Sequence, residues 1–434
     1  MDNEDITPAG GITTDVDITT DVGSNWAGNY SYRAGALLRP STAEELADLI
    51  RRGTPLRALG SRHSFTDIAD TTGDLVSLED FDAAIEIDAD AQSVSVSAGI
   101  RYGDLAEALQ AEGWALHNLA SLPHISIAGA VATATHGSGD RNGNLATAVR
   151  AIDFIDGTGT EVHLERGDSD FDGAVVSLGA LGIVTRITLD IQPTFDIRQD
   201  VYTGLSWDTL LANFDAVTSS AYSVSVFTNW LGDTLTSTWL KSQVDVAEPP
   251  LSLFGATRES VDLHPLPDQP STNTTVQGGI PGPWSDRLAH FKLGYTPSNG
   301  DELQSEFLVP REHAVEALTA LREIGEKIAP LLLITEVRTM AADSFWLSGA
   351  SGRETVGIHF TWKMLPAEVM ALLPEIEARL LPLGARPHWG KVFTATAAEI
   401  APLYPRLGEF RALVRKYDPN RIFGNDFLAR TLGV

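Results

Sequence analysis

Several short clusters in this 434-residue chain hold residues whose types and spacing could do chemistry. The first is Gly60-Ser61-Arg62-His63-Ser64, which follows a stretch at 56–59 that reads as a short buried strand. Gly60 permits a positive φ and lets another molecule approach the backbone closely. Ser61 and Ser64 offer hydroxyls, successive loop amides can form an anion-binding nest, and Arg62 adds positive charge. Such a loop suits a pyrophosphate, with the His63 imidazole in reach of the bound molecule. A lone loop histidine is more often an ordinary polar residue, so a second stretch matters. It runs from Ser121 to Gly139, reading Ser-Leu-Pro-His-Ile-Ser-Ile-Ala-Gly-Ala-Val-Ala-Thr-Ala-Thr-His-Gly-Ser-Gly. It too is small, hydroxylic and glycine-rich, around an apolar helical centre. The pair suggests a long ligand held by backbone amides at both.

Further along, Glu336 and Arg338 flank Val337 just after a wholly apolar run at 331–334. Residues i and i+2 of a strand point the same way, so the two share a face. They form either an ion pair on a solvated face or the wall of a pocket; the apolar flank favours the pocket. The next strand sets His359 and Thr361 on one face and Val356, Ile358 and Phe360 on the other. His388-Trp389-Gly390-Lys391 is a further cluster, which by itself reads more readily as a loop histidine beside a surface lysine.

The strand-then-Gly-Ser-Arg-His-Ser loop and the Ser-Leu-Pro-His-Ile-Ser…Gly…Thr-His-Gly-Ser-Gly stretch resemble the flavin-binding domain of the vanillyl-alcohol-oxidase superfamily. From about Asn25 onward the chain resembles its alditol (xylitol and sorbitol) oxidases, beside the sugar-lactone oxidases. The resemblance implies a two-domain α+β flavoprotein, an FAD-binding domain plus a substrate domain with an antiparallel sheet covered by helices. It implies FAD attached covalently through His63. Around that cofactor it places Ala58, Leu59, Gly60, Ser61, Arg62 and Ser64, then Ser121, Ser126, Gly129, Thr133, Ala134, Thr135 and His136, and finally Ile183 and His388. It places Ser121, Glu336, Arg338, Thr361 and Lys391 around the substrate, with Lys391, Arg338 and Glu336 carrying the chemistry. The implied reaction is oxidation of the C1 alcohol of an alditol to the aldose by hydride transfer to FAD, with oxygen reduced to hydrogen peroxide. A sugar-lactone oxidase, or an oxygen-excluding dehydrogenase of the same fold, is the alternative. No metal is implied. His117, His124, His163, His264, His290 and His313 receive no role.

These clusters need elements to position them. Residues 1–24 read as a mobile acidic tail. An FAD-binding domain is expected over 25–195, a substrate domain over 196–400, and a segment over 401–434 that packs back on the first. Within the first domain, Pro40-Ser41-Thr42-Ala43-Glu44 reads as a capping box opening a helix through Arg52. Alternation and turn residues predict hairpins around 88–90 and 157–159 and a strand over 183–191, and residues 171–181 read as a helix. In the second domain the pattern predicts helices over 206–219, 310–328 and 366–381, and strands over 222–241, 303–309, 331–339 and 355–362. The stretch 248–284, rich in Pro, Gly, Ser and Thr, reads as a long loop or a lid.

Composition excludes other classes. A hydrophobic fraction of 43% supports large cores. With 58 acidic against 31 basic residues the net charge is −27, which repels nucleic acid and anionic membrane and suits a neutral substrate. No cysteine is present, so disulfides, thiolate metal sites and a cysteinyl flavin link are excluded. No apolar run reaches the ~18 residues of a membrane span, and residues 1–24 hold six acidic and no basic residues, the reverse of a signal peptide. A cytoplasmic monomer acting on a small polyol and oxygen is the expectation.

Overall fold

The computed structural model describes residues 16–266, 269–294 and 301–434. Among the described residues its first half holds two larger sheets and a two-stranded pair, Trp114–Ala115 with Gln192–Pro193. Asp17–Thr19, Leu37–Arg39, Asp74–Val76 and Leu56–Ala58 lie side by side in that order. The strand at Asp17–Thr19 corrects the expected tail: Ile18 is exposed, yet its backbone pairs with Leu38 in an antiparallel ladder. Residues 1–15 of that expected tail lie outside the described residues. The second sheet runs Ile85–Asp88, Ser93–Ser97, Gly182–Asp190, Val149–Asp156, Glu161–Glu165, all antiparallel. Both expected hairpins are in it.

Local chemistry explains the element ends. The Ala43–Arg51 helix is capped by Thr42, whose hydroxyl accepts from Glu45 N. The Glu45 carboxylate reaches back to Ser41 N at 2.7 Å, so the reciprocal half of the box sits one residue earlier than usual. The helix expected over 171–181 is shorter, Phe171–Ala174. The chain then turns through Leu178 at φ 54, and the Leu178 carbonyl accepts from buried Arg57 at 2.7 Å.

The second half is one ten-stranded, antiparallel sheet. Its central strands run Asp196–Thr203, Ser237–Gln243, Ser223–Thr228, Leu332–Met340, Thr355–Lys363, Glu302–Pro310. Because side chains alternate, one face carries Val226, Val337, Ile358, Phe360 and Phe307, packed in a core with Leu318, Leu321, Leu373 and Ile376 of the covering helices. The other face carries charged and polar side chains. Two expected helices are broken. That over 206–219 divides into Trp207–Ala212 and Phe214–Thr218 at Asn213, whose side-chain amide donates to Thr209 O. That over 310–328 becomes a 3₁₀ turn, Ala314–Arg322 and Gly325–Ile328. A Cβ at Gly325 would lie 2.6 Å from Trp230 O, so the chain bends where only glycine fits. The expected loop at 248–284 contains the short strands Ser252–Leu253 and Ala256–Arg258 and ends in the helix Trp284–Arg287.

The last residues return to the first half. Leu56 N donates to Ile422 O at 2.8 Å, Gly157 N to Tyr417 O at 2.7 Å, and Arg57 to Phe423 O at 3.0 Å. Of the methionines described, Met340 is buried, Met364 half-buried, and Met370 is exposed on the Pro366–Leu380 helix.

Candidate functional site

A cavity of about 1120 Å³ opens between the two halves, lined by the glycine-rich loops on one side and the polar sheet face on the other. On the loop side, Ser61 Oγ accepts from Ser126 N at 3.0 Å and joins the two stretches separated in sequence. A Cβ at Gly60 or Gly129 would approach Ser126 Oγ to 2.5 or 2.9 Å, which keeps this cradle shallow and open to a ligand. The positive φ expected at Gly60 instead falls on Arg62, at 61°. Arg62 also spends its charge elsewhere. Its guanidinium donates to Val22 O at 2.6 Å and covers the Tyr32 ring, so it pins residues 22–32 rather than offering itself to an anion.

His63 is held from behind. The Trp26 ring stacks on it at 5.2 Å, and Asn25 and Asn29 donate to Ser64 O and Phe65 O. Burial pushes the His63 pKa down to about 4, so the imidazole is neutral at physiological pH. Its Nδ1 is buried without a hydrogen-bond partner. A neutral, rigidly held imidazole with a free nitrogen beside an open glycine cradle fits a flavin nucleotide. Of the residues expected around such a group, Ala58, Leu59, Ser64, Thr133, Thr135, His136 and His388 line the cavity. Two do not. Ala134 is buried at φ 52 among core side chains, and Ile183 points into the cluster of Leu46 and Ile155. The alternation of that strand brings Gly182 and Val184 to the cavity in its place.

On the sheet side the register sets Glu306, His359 and Glu336 in one row across three adjacent strands. Arg338, two residues on from Glu336, is opposite Gly357. A Cβ there would meet Glu306 Oε1 at 2.8 Å, so the glycine leaves room for the buried charges. Arg338 donates to Glu306 Oε1 at 3.1 Å and to Ser121 Oγ at 3.3 Å, and its Nε lies 3.6 Å from Glu336. Lys391 Nζ is 2.5 Å from Glu306 Oε2 and 2.6 Å from His359 Nδ1. His359 Nε2 in turn lies 3.0 Å from Thr361 Oγ1. Burial and Lys391 lower the His359 pKa to about 4. The neutral ring accepts from Lys391 at Nδ1, so its proton sits on Nε2 and is donated to Thr361.

Electrostatics fix the charges. Burial raises the Glu306 carboxyl, but Lys391, His136 and Arg338 outweigh it and hold it well below the usual range. Glu336 behaves alike: Arg338 and His290 overcome burial and keep it ionised. Arg338, between the two carboxylates, stays charged. Burial pushes Lys391 below the ordinary lysine value, and Glu306 opposes that push.

Three residues of this site were not expected. Glu306 is the centre of the polar face; the alternation Glu302, Gln304, Glu306 against Leu303, Ser305, Phe307 is the sequence signal that points to it. His290, given no role, donates from Nε2 to Glu336 Oε1 at 2.8 Å. Its backbone N–H and that of Phe291 reach Ser121 O at 3.2 and 3.3 Å. His264 also lines the cavity. The other histidines stay apart from its lining: His163 and His313 pair with surface carboxylates, His124 meets Leu293 O, and His117 is buried near Gly143 O.

Comparison with known proteins agrees with this geometry. Residues 34–165 match the FAD binding domain family, and residues 300–431 the D-arabinono-1,4-lactone oxidase family. Alditol oxidase of Streptomyces sp. (strain IKD472 / FERM P-14339) is 46% identical over 93% of this chain and 97% of its own. L-gulono-1,4-lactone dehydrogenase of Mycobacterium tuberculosis is 31% identical over 94% of this chain and 99% of its own. Among solved structures, cholesterol oxidase from B. sterolicum superposes with a TM-score of 0.78, covering 98% of this chain and 100% of that one at 15% identity. That likeness speaks for the fold alone. With an FAD-type cradle facing a buried Glu-Arg-Lys cluster, and with relatives this similar along nearly its whole length, the chain belongs to the vanillyl-alcohol-oxidase-type family of FAD-dependent oxidoreductases, together with alditol oxidase and the sugar-lactone oxidases.

Proposed function

We propose that the protein oxidises alditols such as xylitol and sorbitol at C1, forming the aldose and passing electrons to oxygen with release of hydrogen peroxide. The observation that carries this reading is the convergence of Arg338, Lys391 and Glu336 on one cavity with the His63 loop, in a chain 46% identical to an alditol oxidase. Residues 25–195 would hold FAD, residues 196–400 the polyol, and residues 401–434 brace the first part. His63 would carry the cofactor covalently, with the loops at 58–64 and 126–136 along it.

Bound FAD supplies the acceptor for the hydride and the route of two electrons to oxygen. The chain does the rest. As the C1 hydrogen leaves, the hydroxyl oxygen gains negative charge, and Arg338 is the fixed cation placed to stabilise it, joined by Lys391 once that amine has taken the proton. The hydroxyl proton passes to Lys391 Nζ, which burial keeps easier to deprotonate than a surface lysine. Thr361, already accepting from His359, and Ser121, held by Arg338 and the 290–291 amides, orient the carbinol end. Glu336 accepts hydrogen bonds from hydroxyls further along the chain of the polyol. A neutral polyol suits this site better than a sugar acid, since its buried carboxylates Glu306 and Glu336 are both ionised.

A steady-state panel of xylitol, sorbitol and sugar lactones, with peroxide detection, tests the activity. Alditols should be turned over with stoichiometric peroxide; a preference for lactones, or turnover only with an artificial acceptor, would move the enzyme to the lactone oxidases or the dehydrogenases. Covalent attachment is checked separately. Yellow colour should stay with the acid-precipitated chain, and His63→Ala should release all flavin to the supernatant.

A further inference from the structure

Glu306 has an unusual position: one fully buried carboxylate touching both basic groups assigned to the developing alkoxide. Its Oε2 faces Lys391 at 2.5 Å and its Oε1 faces Arg338 at 3.1 Å. His136 Nε2 lies 3.1 Å from Oε1 and His359 Nδ1 3.5 Å from Oε2. Gly357 is without a side chain where one would strike it. Lys391 also lies in the field of Arg338 and of Glu336, and His388 beside it is neutral, its Nδ1 accepting from Gly390 N. No substrate atom is needed to explain where Glu306 sits, because protein groups occupy both of its oxygens.

We propose that Glu306 is a positioning residue that holds Lys391 and Arg338 together and sets the proton affinity of Lys391. The inference rests on the reading that Lys391 receives the hydroxyl proton. In that step the O–H bond breaks, the C1–H pair of electrons leaves as hydride to FAD, and the C=O bond forms. The proton bonds to the lone pair of Lys391 Nζ, making an ammonium that Glu306 neutralises. The charge change at Lys391 therefore happens 2.5 Å from a fixed negative charge. Two demands compete there. Burial favours the neutral amine that can accept a proton, whereas Glu306 favours the ammonium that results. Glu306 thereby makes Lys391 a stronger base than burial alone would leave it, at the cost of a smaller neutral fraction at low pH.

The sign follows. Flavin reduction rises with pH as Lys391 loses its proton, then levels off. Removing the Glu306 charge removes what holds that proton, so the rising limb moves to lower pH, while the plateau rate falls because the weaker base is also misplaced. Glu336, still held by Arg338 and His290, keeps polyol recognition.

Anaerobic stopped-flow reduction by xylitol across pH tests this in the holoenzyme. Glu306→Gln should shift the limb down by about one pH unit or more, the effect of losing a close opposite charge, with xylitol affinity at the plateau within a few-fold of wild type. Trace acetylation of the resting enzyme, read at Lys391 by peptide mass spectrometry, should show the same downward shift without turnover. Glu306→Asp, which withdraws the charge by one methylene, should shift both readouts in the same direction by less. An unmoved limb and unmoved acetylation profile in the variant that folds would overturn the proposal. So would failure of both variants to fold with flavin, which would make Glu306 purely structural. Lys391→Met separates the two readings: it should flatten the limb and slow reduction by about two to three orders of magnitude. A wild-type limb in Lys391→Met would overturn the lysine reading itself, whatever Glu306 does.

Discussion

Glu336 meets two fixed partners, His290 and Arg338, both at Oε1. The carboxylate is thus aimed before substrate arrives, and the contacts proposed for it with polyol hydroxyls would be felt in the bound and the transition state alike. Glu336→Gln should therefore raise the dissociation constant for xylitol by roughly tenfold, about the worth of one charge-assisted hydrogen bond. The limiting rate of flavin reduction should change less. Stopped-flow titration separates the two, and an unchanged affinity with a collapsed rate would move Glu336 into the chemical step. At this scale the sequence was readable where periodicity or a dense motif fixed direction. Glu336, Arg338, His359 and Thr361 share a face because strands alternate, and the His63 loop is a compact signature. Glu306 obeyed the same alternation, but a lone Glu in a strand carries no motif. Arg62 shows the opposite failure: its type suggested an anion ligand, and only the fold shows Val22 taking its charge.

His290 was illegible for a reason that belongs to elements. It lies in an irregular segment after the Trp284–Arg287 helix, where no period says which way a side chain points. Its place is dictated from 49 residues upstream by Lys241, fully buried on the Ser237–Gln243 strand. Lys241 Nζ donates to the carbonyls of Arg287, Leu288 and Ala289 at 2.6, 2.9 and 2.7 Å. Burial pulls its pKa down, while three acceptors and the nearby Glu336 charge work to keep the proton. The segment so pinned steers His290 onto Glu336 and two amides onto the Ser121 carbonyl. Lys241→Met should strand those carbonyls and cost about 2 kcal/mol or more of stability, seen as a lower urea midpoint. Xylitol affinity should fall with it, and flavin content should not, since Lys241 touches no part of the loop cradle. Loss of flavin with unchanged affinity would refute that division. The breaks in the expected helices at 206–219 and 310–328 were missed similarly. Their apolar spacing is helical throughout, and the interruptions answer to Asn213 and to the Trp230 carbonyl above Gly325, contacts invisible along the chain.

Over the whole molecule the two-part α+β plan was legible, because long alternating strands and strong loop motifs recur in order. The shared cavity was not, since it depends on how the loops of one half face the sheet of the other. Arg57 shows what joins the pieces: its guanidinium donates to the carbonyls of Ile68, Leu178, Gly179 and Phe423, bringing three stretches of chain to one buried charge. One property of the chain bears on its lifetime. In the proposed reaction each turnover would release peroxide, and the residues that peroxide attacks are the sulfur-bearing ones. This chain contains no cysteine and four methionines. Met340, at the end of the Glu336–Arg338 strand, is buried, and Met370 faces solvent on an outer helix away from the cavity. Prolonged turnover with xylitol should therefore add oxygen to Met370 well before Met340, by peptide mass spectrometry, with activity unchanged while it does so. The wear of the reaction would fall on a sacrificial outer surface, and the working parts would outlast it.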